Sequence, residues 1–232
     1  MQPEWRNRPP LSRASIEAWR YSSKTLDWDN ALAGLKPVVD CLLPPSPTHP
    51  DGLGLLRDDS PEVLPRPVRL EQGPAAPGKG YLLLRLSPYS AQAEPSWEAP
   101  LVRSWEFPEL PPSLNQLRKL HFQQYRTLRQ HWSQKFGRSP GAPLTKAWLF
   151  IETWRPRWLD WDNYYGGLKP LLDCLSMAGT RNPDGQGWIL DDQPSCLAQP
   201  RVYQQTGVGV DGIKTIFRLY GFRQPSARDR SL

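Results

Sequence analysis

The stretch LDWDNALAGLKPVVDCL, Leu26–Leu42, returns as LDWDNYYGGLKPLLDCL, Leu159–Leu175. The match continues, with PDGLGLLRDDSPEVL (Pro50–Leu64) facing PDGQGWILDDQPSCL (Pro183–Leu197). From Leu26–Leu64 to Leu159–Leu197 the offset is a constant 133, and 20 of 39 pairs are identical. Chance would give about two, so the chain carries a true internal duplication. The polar residues kept in both copies are almost all carboxylates, joined by one asparagine and one lysine. A copied core would mainly keep apolar positions. Acids retained twice in a basic chain point to metal-dependent chemistry on a polyanion.

The duplication reaches further out. Pro10-Leu11-Ser12-Arg13-Ala14 faces Pro143-Leu144-Thr145-Lys146-Ala147. Ile16-Glu17-Ala18-Trp19-Arg20 faces Ile151-Glu152-Thr153-Trp154-Arg155 after a short gap, and LLLRL (82–86) faces TIFRL (215–219). Each copy therefore predicts a strand ending in the first acidic pair, a helix, a loop, a short strand ending in the second pair, and a further strand. The fold class expected is α/β (α+β), two mixed-sheet-plus-helix units related by a pseudo-two-fold. The expected organisation is a truncated first copy (1–88), a proline-rich linker (89–104), a complete second copy (105–222) and a flexible tail (223–232).

The 232 residues suffice for one large domain or two small ones, and the net charge of +6 with pI near 9.3 favours an anionic partner. No apolar run approaches the ~20 residues that span a bilayer, and MQPEWRNRPP is not a signal peptide, so a cytoplasmic protein without a membrane partner is expected. Three cysteines form neither a disulfide framework nor a zinc site. Cys41 and Cys174 occupy one repeat position in apolar helix pattern and are expected to be buried. His49, His121 and His131 lack the spacing of ligands or of a catalytic triad. Asn182-Pro183-Asp184-Gly185 is a turn, since the final glutamate of a calcium-binding loop is missing.

Along an extended LDWD segment both carboxylates share a face while the tryptophan turns to the core. A helix follows over Ala31–Leu43, with Leu32, Leu35, Val39 and Leu42 on one side and Asp29 or Asn30 capping it. Magnesium suits such acids, because it takes oxygen ligands, keeps water and binds substrate phosphates. Each copy is expected to gather its own three carboxylates, unless the partner copy supplies one. Ahead of its first shared strand the second copy alone carries FPELPPSLNQLRKLHFQQYRTLRQHWSQKFG. From Pro112 to Arg138 it holds six Arg or Lys and no acid. Leu117, His121, Tyr125, Leu128, Trp132 and Phe136 form a helical stripe; Arg118, Lys119, Arg126 and Arg129 fall largely off it and are the expected nucleic-acid contacts.

DxDN, a helix with a lysine, and a DD pair after a hydrophobic strand resemble the RusA family of Holliday junction resolvases. The second copy resembles a whole member from Phe107-Pro108-Glu109-Leu110-Pro111-Pro112 to about Phe222; the first resembles it from about Pro10 to Pro88. The resemblance implies magnesium-dependent phosphodiester hydrolysis at four-way DNA junctions, in recombination and repair, by paired cuts from a dimer. It implies that Asp27, Asp29, Asp59, Asp160, Asp162 and Asp192 are the catalytic metal ligands, with Lys36 and Lys169 assisting. Asp58, Asp191, Asn30 and Asn163 are expected just behind them. The lysine departs from the family, seven rather than four residues after the second Asp of DxDN. A monomer with an internal pseudo-dimer, or a homodimer, is expected. The alternatives are a non-catalytic junction- or DNA-binding protein, and a nuclease active only in the second copy.

Overall fold

The computed structural model describes residues 9–90 and 99–222. They form two compact units, one of residues 9–25, 30–90 and 160–162, the other of 26–29, 99–159 and 163–222. The chain is mixed α and β, with a mixed sheet in each unit. The unit boundaries cross the repeat, because each DWD segment belongs to the unit built mainly from the other copy. No helix among the described residues is long and apolar enough to cross a membrane.

In the first unit β1 (Ala14–Ser22) lies between β2 (Arg69–Pro74), parallel to it, and β3 (Tyr81–Pro88), antiparallel. Ala14, Ile16 and Ala18 are buried on one face of β1, and Leu86 and Leu84 pair with Ile16 and Ala18 on that same face. In the second unit the strands are β4 (Leu101–Phe107), β5 (Lys146–Arg155), β6 (Arg201–Thr206) and β7 (Lys214–Phe222), in the order β4-β7-β5-β6. Only the β5–β6 pair is parallel. The repeat persists as matching bonds: Leu11 N–H donates to Leu55 O and Ala14 N–H to Val63 O, as Leu144 N–H donates to Trp188 O and Ala147 N–H to Cys196 O. Backbone pairing follows the offset of 133 straight through β1, so Ile16 takes the place of Leu149 rather than Ile151. A shift of two residues leaves every side chain on its own face, which is why the gapped sequence match was also self-consistent.

The α-helices among the described residues are α1 (Trp28–Ala33), α2 (Lys36–Asp40), α3 (Leu114–Leu117), α4 (Phe122–Phe136), α5 (Trp161–Gly167) and α6 (Lys169–Leu175). Several differ from the sequence expectation. LDWDN does not end a strand in either copy; β1 stops at Ser22 and β5 at Arg155, and the helix begins at Trp28 or Trp161. The strand-then-helix form expected of LDWDN is thus a loop followed by a helix in both copies. The expected helix over Ala31–Leu43 is broken in two in each copy. Pro37 and Pro170, second residues of α2 and α6, lack an N–H to donate, and their rings would strike the carbonyls of Ala33 and Gly166. The strand expected before each DD is a single bridge, Leu11 to Leu56 or Leu144 to Ile189. The linker assigned to 89–104 ends early, since β4 starts at Leu101 and buries Trp105 and Phe107. Residues 91–98 of that linker, and the tail 223–232, lie outside the described residues.

The basic stripe is also two helices. His121 caps α4, its side chain accepting from Gln123 N–H while its own N–H donates to Gln124 Oε1 at 2.9 Å. The far end of α4 is locked in aromatic packing. Phe136 meets Phe217 edge-on at 5.2 Å, and Phe107 meets Trp132 at 5.5 Å. Trp105 Nε1 donates to Phe136 O, and Trp188 Nε1 to Gly137 O, which satisfies carbonyls at the helix end.

The cover that α4 provides explains an unequal pair of cysteines. Cys174 is buried, its thiol donating to Arg129 O at 3.3 Å, and burial pushes its pKa up to about 12. Cys41, expected to be buried as well, is exposed, and among the described residues no helix precedes β1 as α4 precedes β5. Pro170, Leu171 and Cys174 are all buried on α6, whereas α2 buries no residue.

Gly167 is required by a close approach. A Cβ there would lie 1.9 Å from Pro112 O, inside any tolerable contact. Gly167→Ala should therefore lower stability by about 2–4 kcal/mol in a denaturant melt. Gly209→Ala, with φ of −69° and nothing within 4 Å of the new methyl, should stay within about 0.5 kcal/mol of the parent. Equal melts for the two variants would overturn the close approach.

Candidate metal centre

Helix starts and a turn deliver the acids. Asp27 immediately precedes α1 and Asp29 lies in its first turn, where the unpaired N–H groups favour negative charge. Trp28 between them is buried and its Nε1 donates to Leu197 O at 2.6 Å, so the indole holds the two carboxylates in place. Trp161, likewise between Asp160 and Asp162, donates to Leu64 O at 2.8 Å. In the DD pairs the first acid is spent locally. Asp58 Oδ1 accepts from Ser60 N–H and Asp191 Oδ1 from Gln193 N–H, each bending the chain around its own side chain. The second acid, Asp59 or Asp192, is thereby turned away from its own loop.

Asp27, Asp29 and Asp192 converge, with one carboxyl oxygen of each within 4.8 Å of the others. Among the described residues this is the one such group of three. It takes two acids from the first copy and one from the second, the exchange expected only as an exception. Asp59 does not join Asp27 and Asp29. It hydrogen-bonds at 2.8 Å to Lys36 Nζ, which also meets Asp40 Oδ1 at 3.0 Å. Asp160 and Asp162 belong to the same unit as Asp59, and Asp162 acts electrostatically on Lys36. Asn163 is buried while Asn30 is exposed.

Electrostatics distinguish the two sets. Asp29 is 2 % exposed and Asp192 is 7 % exposed, so water screens neither well. Burial first, then a hydrogen bond that protonated Asp192 donates to Asp191, and the charges of Asp27, Asp173 and Asp29, push the Asp192 pKa up to about 8. Asp192 Oδ2 is buried with no hydrogen-bond partner among the described residues. An all-carboxylate set with such an oxygen suits a hard divalent cation. Lys169 Nζ stands 3.5 Å from Asp29 Oδ2 and 3.6 Å from Asp173 Oδ1. Burial opposes its charge, but Asp29, Asp173 and Asp192 outweigh burial and hold its pKa above the ordinary value. Lys36 is held up in the same way by Asp59 and Asp40.

Asp40 and Asp173 were not among the expected site residues. They are one repeat position, four residues after the lysine in each copy, and that shared spacing was readable. Of the expected phosphate contacts, Arg118, Lys119 and Arg126 are exposed, but Arg129 is not available. Its guanidinium hydrogen-bonds to Asn182 Oδ1 and pairs with Asp184 Oδ2 at 3.4 Å, leaving its side chain 14 % exposed. Arg129 therefore ties α4 to the loop before Trp188. No protein family, curated protein or solved structure matches this chain.

The raised pKa of Asp192 makes stability depend on pH. In the unfolded chain this carboxyl ionises near pH 4, whereas the folded, cation-free protein keeps its proton up to about 8. The unfolded state therefore binds fewer protons over this window, and this group's contribution falls as pH rises. In calorimetry with chelator, the parent should lose more stability than Asp192→Asn between about pH 5 and about pH 8. A divalent cation must displace that proton, so its stabilisation should grow over the same range. Parallel parent and variant curves would contradict this assignment.

Proposed function

We propose that this protein is a divalent-cation-dependent endodeoxyribonuclease that cuts branched DNA, in the manner of the RusA resolvases it resembles, and that magnesium is its ion. The observation that carries the reading is the convergence of Asp27, Asp29 and Asp192, with Lys169 beside them. When bound, magnesium supplies the charge that polarises a phosphodiester and activates water. Asp27, Asp29 and Asp192 hold the cation. Lys169 offers its ammonium to the negative charge that builds on the phosphate, and Asp173 keeps that ammonium oriented. Arg118, Lys119 and Arg126 supply exposed positive charge for the DNA backbone. On this reading the chain acts in the cytoplasm on four-way junctions, its two units serving as pseudo-two-fold halves of an internal dimer or joining a second chain.

A second reading, one active site per chain, draws on the unequal electrostatics. Lys36 already neutralises Asp59, while the group of three carboxylates forms around Asp29. A synthetic four-way junction incubated with magnesium, and separately with chelator, tests the chemistry directly. Asp27→Asn and Asp192→Asn strike one cluster, so each should lower its cutting by on the order of a hundredfold or more, and together no further. If both sets cut, Asp160→Asn and Asp27→Asn each leave nicking and only their combination is dead. If one set cuts, Asp27→Asn alone abolishes nicking. Cleavage that survives chelator, or the loss of Asp27 and Asp160 together, would falsify the nuclease reading.

A further inference from the structure

Phe122 opens α4 with its side chain 74 % exposed, the one large apolar side chain exposed on a helix whose other exposed positions are cationic or neutral and polar. Exposed apolar residues are common singly, so exposure alone decides nothing. Its surroundings do. Arg118 and Lys119 occupy the turn just before α4, and Arg126 lies one turn on, on the same side of the helix as Phe122; all three are exposed. Gln123, Gln124, Thr127, Gln130, His131 and Gln134 fill the remaining exposed positions of α4, and no acid occurs from Pro112 to Arg138. The other end of the helix is fixed by Trp132 and Phe136 in the aromatic core, about 15 Å and about 21 Å along the axis at about 1.5 Å per residue. Phe122 is thus a ring presented on a rigid support rather than on a floppy loop.

The support also leads to the carboxylates. Tyr125, three residues after Phe122, is half-buried and feels the charges of Asp173, Lys169 and Asp29. DNA whose phosphate reached Lys169 would therefore run close to the first turns of α4.

Resting on the nuclease reading above, we infer that Phe122 stacks on a base exposed at a DNA branch, while Arg118, Lys119 and Arg126 hold the neighbouring phosphates. Every base offers a π-face, so stacking recognises an opened step without reading its sequence. A fully paired duplex offers no such face along its length. The ring thus makes branched DNA preferable to duplex, which the cations, indifferent to base pairing, do not. An anionic membrane would meet the same cations, but α4 presents one isolated apolar side chain there and not the broad apolar face that lies in a bilayer.

The test uses the full chain with chelator, so that nothing is cut. Binding is measured to a four-way junction carrying 2-aminopurine at the branch, and to a duplex of the same sequence. Phe122→Ala should weaken junction binding roughly five- to hundredfold and abolish the 2-aminopurine response, with less than about a twofold change on duplex. Phe122→Trp should restore both. Arg126→Gln should weaken both substrates and reduce the salt dependence by about one ion. The side chain is exposed, so an unchanged melting temperature for Phe122→Ala separates stacking from misfolding. Junction binding equal to the parent, or an equal loss on both substrates, overturns the stacking role and leaves the nuclease reading standing. A parent that binds no DNA overturns both. Loss of binding to phosphatidylserine vesicles, with DNA binding intact, overturns it in favour of a membrane.

Discussion

Three carboxylates within 4.8 Å of one another, two of them buried, cannot all carry their charge unaided. At an effective dielectric constant of about 20, one such pair repels by about 3 kcal/mol. Relief comes from a proton, an ammonium or a metal cation, and the ammonium of Lys169 is in place here. Asp192 keeps its proton up to about pH 8, and Lys169 lies against Asp29. The local structure is arranged to impose this crowding. Trp28 pins the DWD segment by its indole, the Asp191 turn swings Asp192 inward, and Pro170 ends α5 so that Lys169 can open α6. Each device opposes the repulsion by geometry and leaves a position where positive charge is favoured.

The same devices recur in the first unit with a different outcome. Helix α4 buries α6 and Cys174, whereas α2 and Cys41 stay open. Deeper burial raises the cost of ionisation, which is why Asp192 is shifted so far. Asp59, only half-buried, is instead bound directly by Lys36 at 2.8 Å. α4 therefore does more than add basic surface: it packs on α6 and covers the Cys174 thiol.

The duplication, the two mixed sheets, the tryptophan facing inward and the acids themselves were legible in the sequence, because identity at a fixed offset and apolar alternation are local properties. What was not legible depended on breaks and on distance. Pro37 and Pro170 announce the break in each helix, yet the apolar spacing of Leu32, Leu35 and Leu42 continues across it and conceals it. The basic stripe hid the restart at His121 in the same way. Arg129 read as a surface cation because nothing local shows Asp184 and Asn182 arriving from fifty residues downstream. The grouping of Asp27 and Asp29 with Asp192 was hidden for a related reason. A repeat specifies which residues correspond, and two copies that exchange a segment carry the same correspondence as two that do not.

That exchange bears on why the first copy has kept its acids. A first copy serving only as a scaffold would be free to lose carboxylates, which cost stability when crowded. Here Asp27 and Asp29 complete a cluster with Asp192 and Lys169, while Asp160 and Asp162 share a unit with Asp59 and Lys36. Loss of Asp27 or Asp29 from the first copy, or of Asp192 from the second, damages one group to which both copies contribute. The lysine fits the same logic. It sits seven residues past the DWDN acid not by sliding along one continuous helix but by opening a second, after a proline break, where Asp173 or Asp40 four residues on can hold it. The retained acids, the displaced lysine and its partner are therefore best understood as one constraint acting on both copies at once, which is why they survive together while the residues around them have drifted.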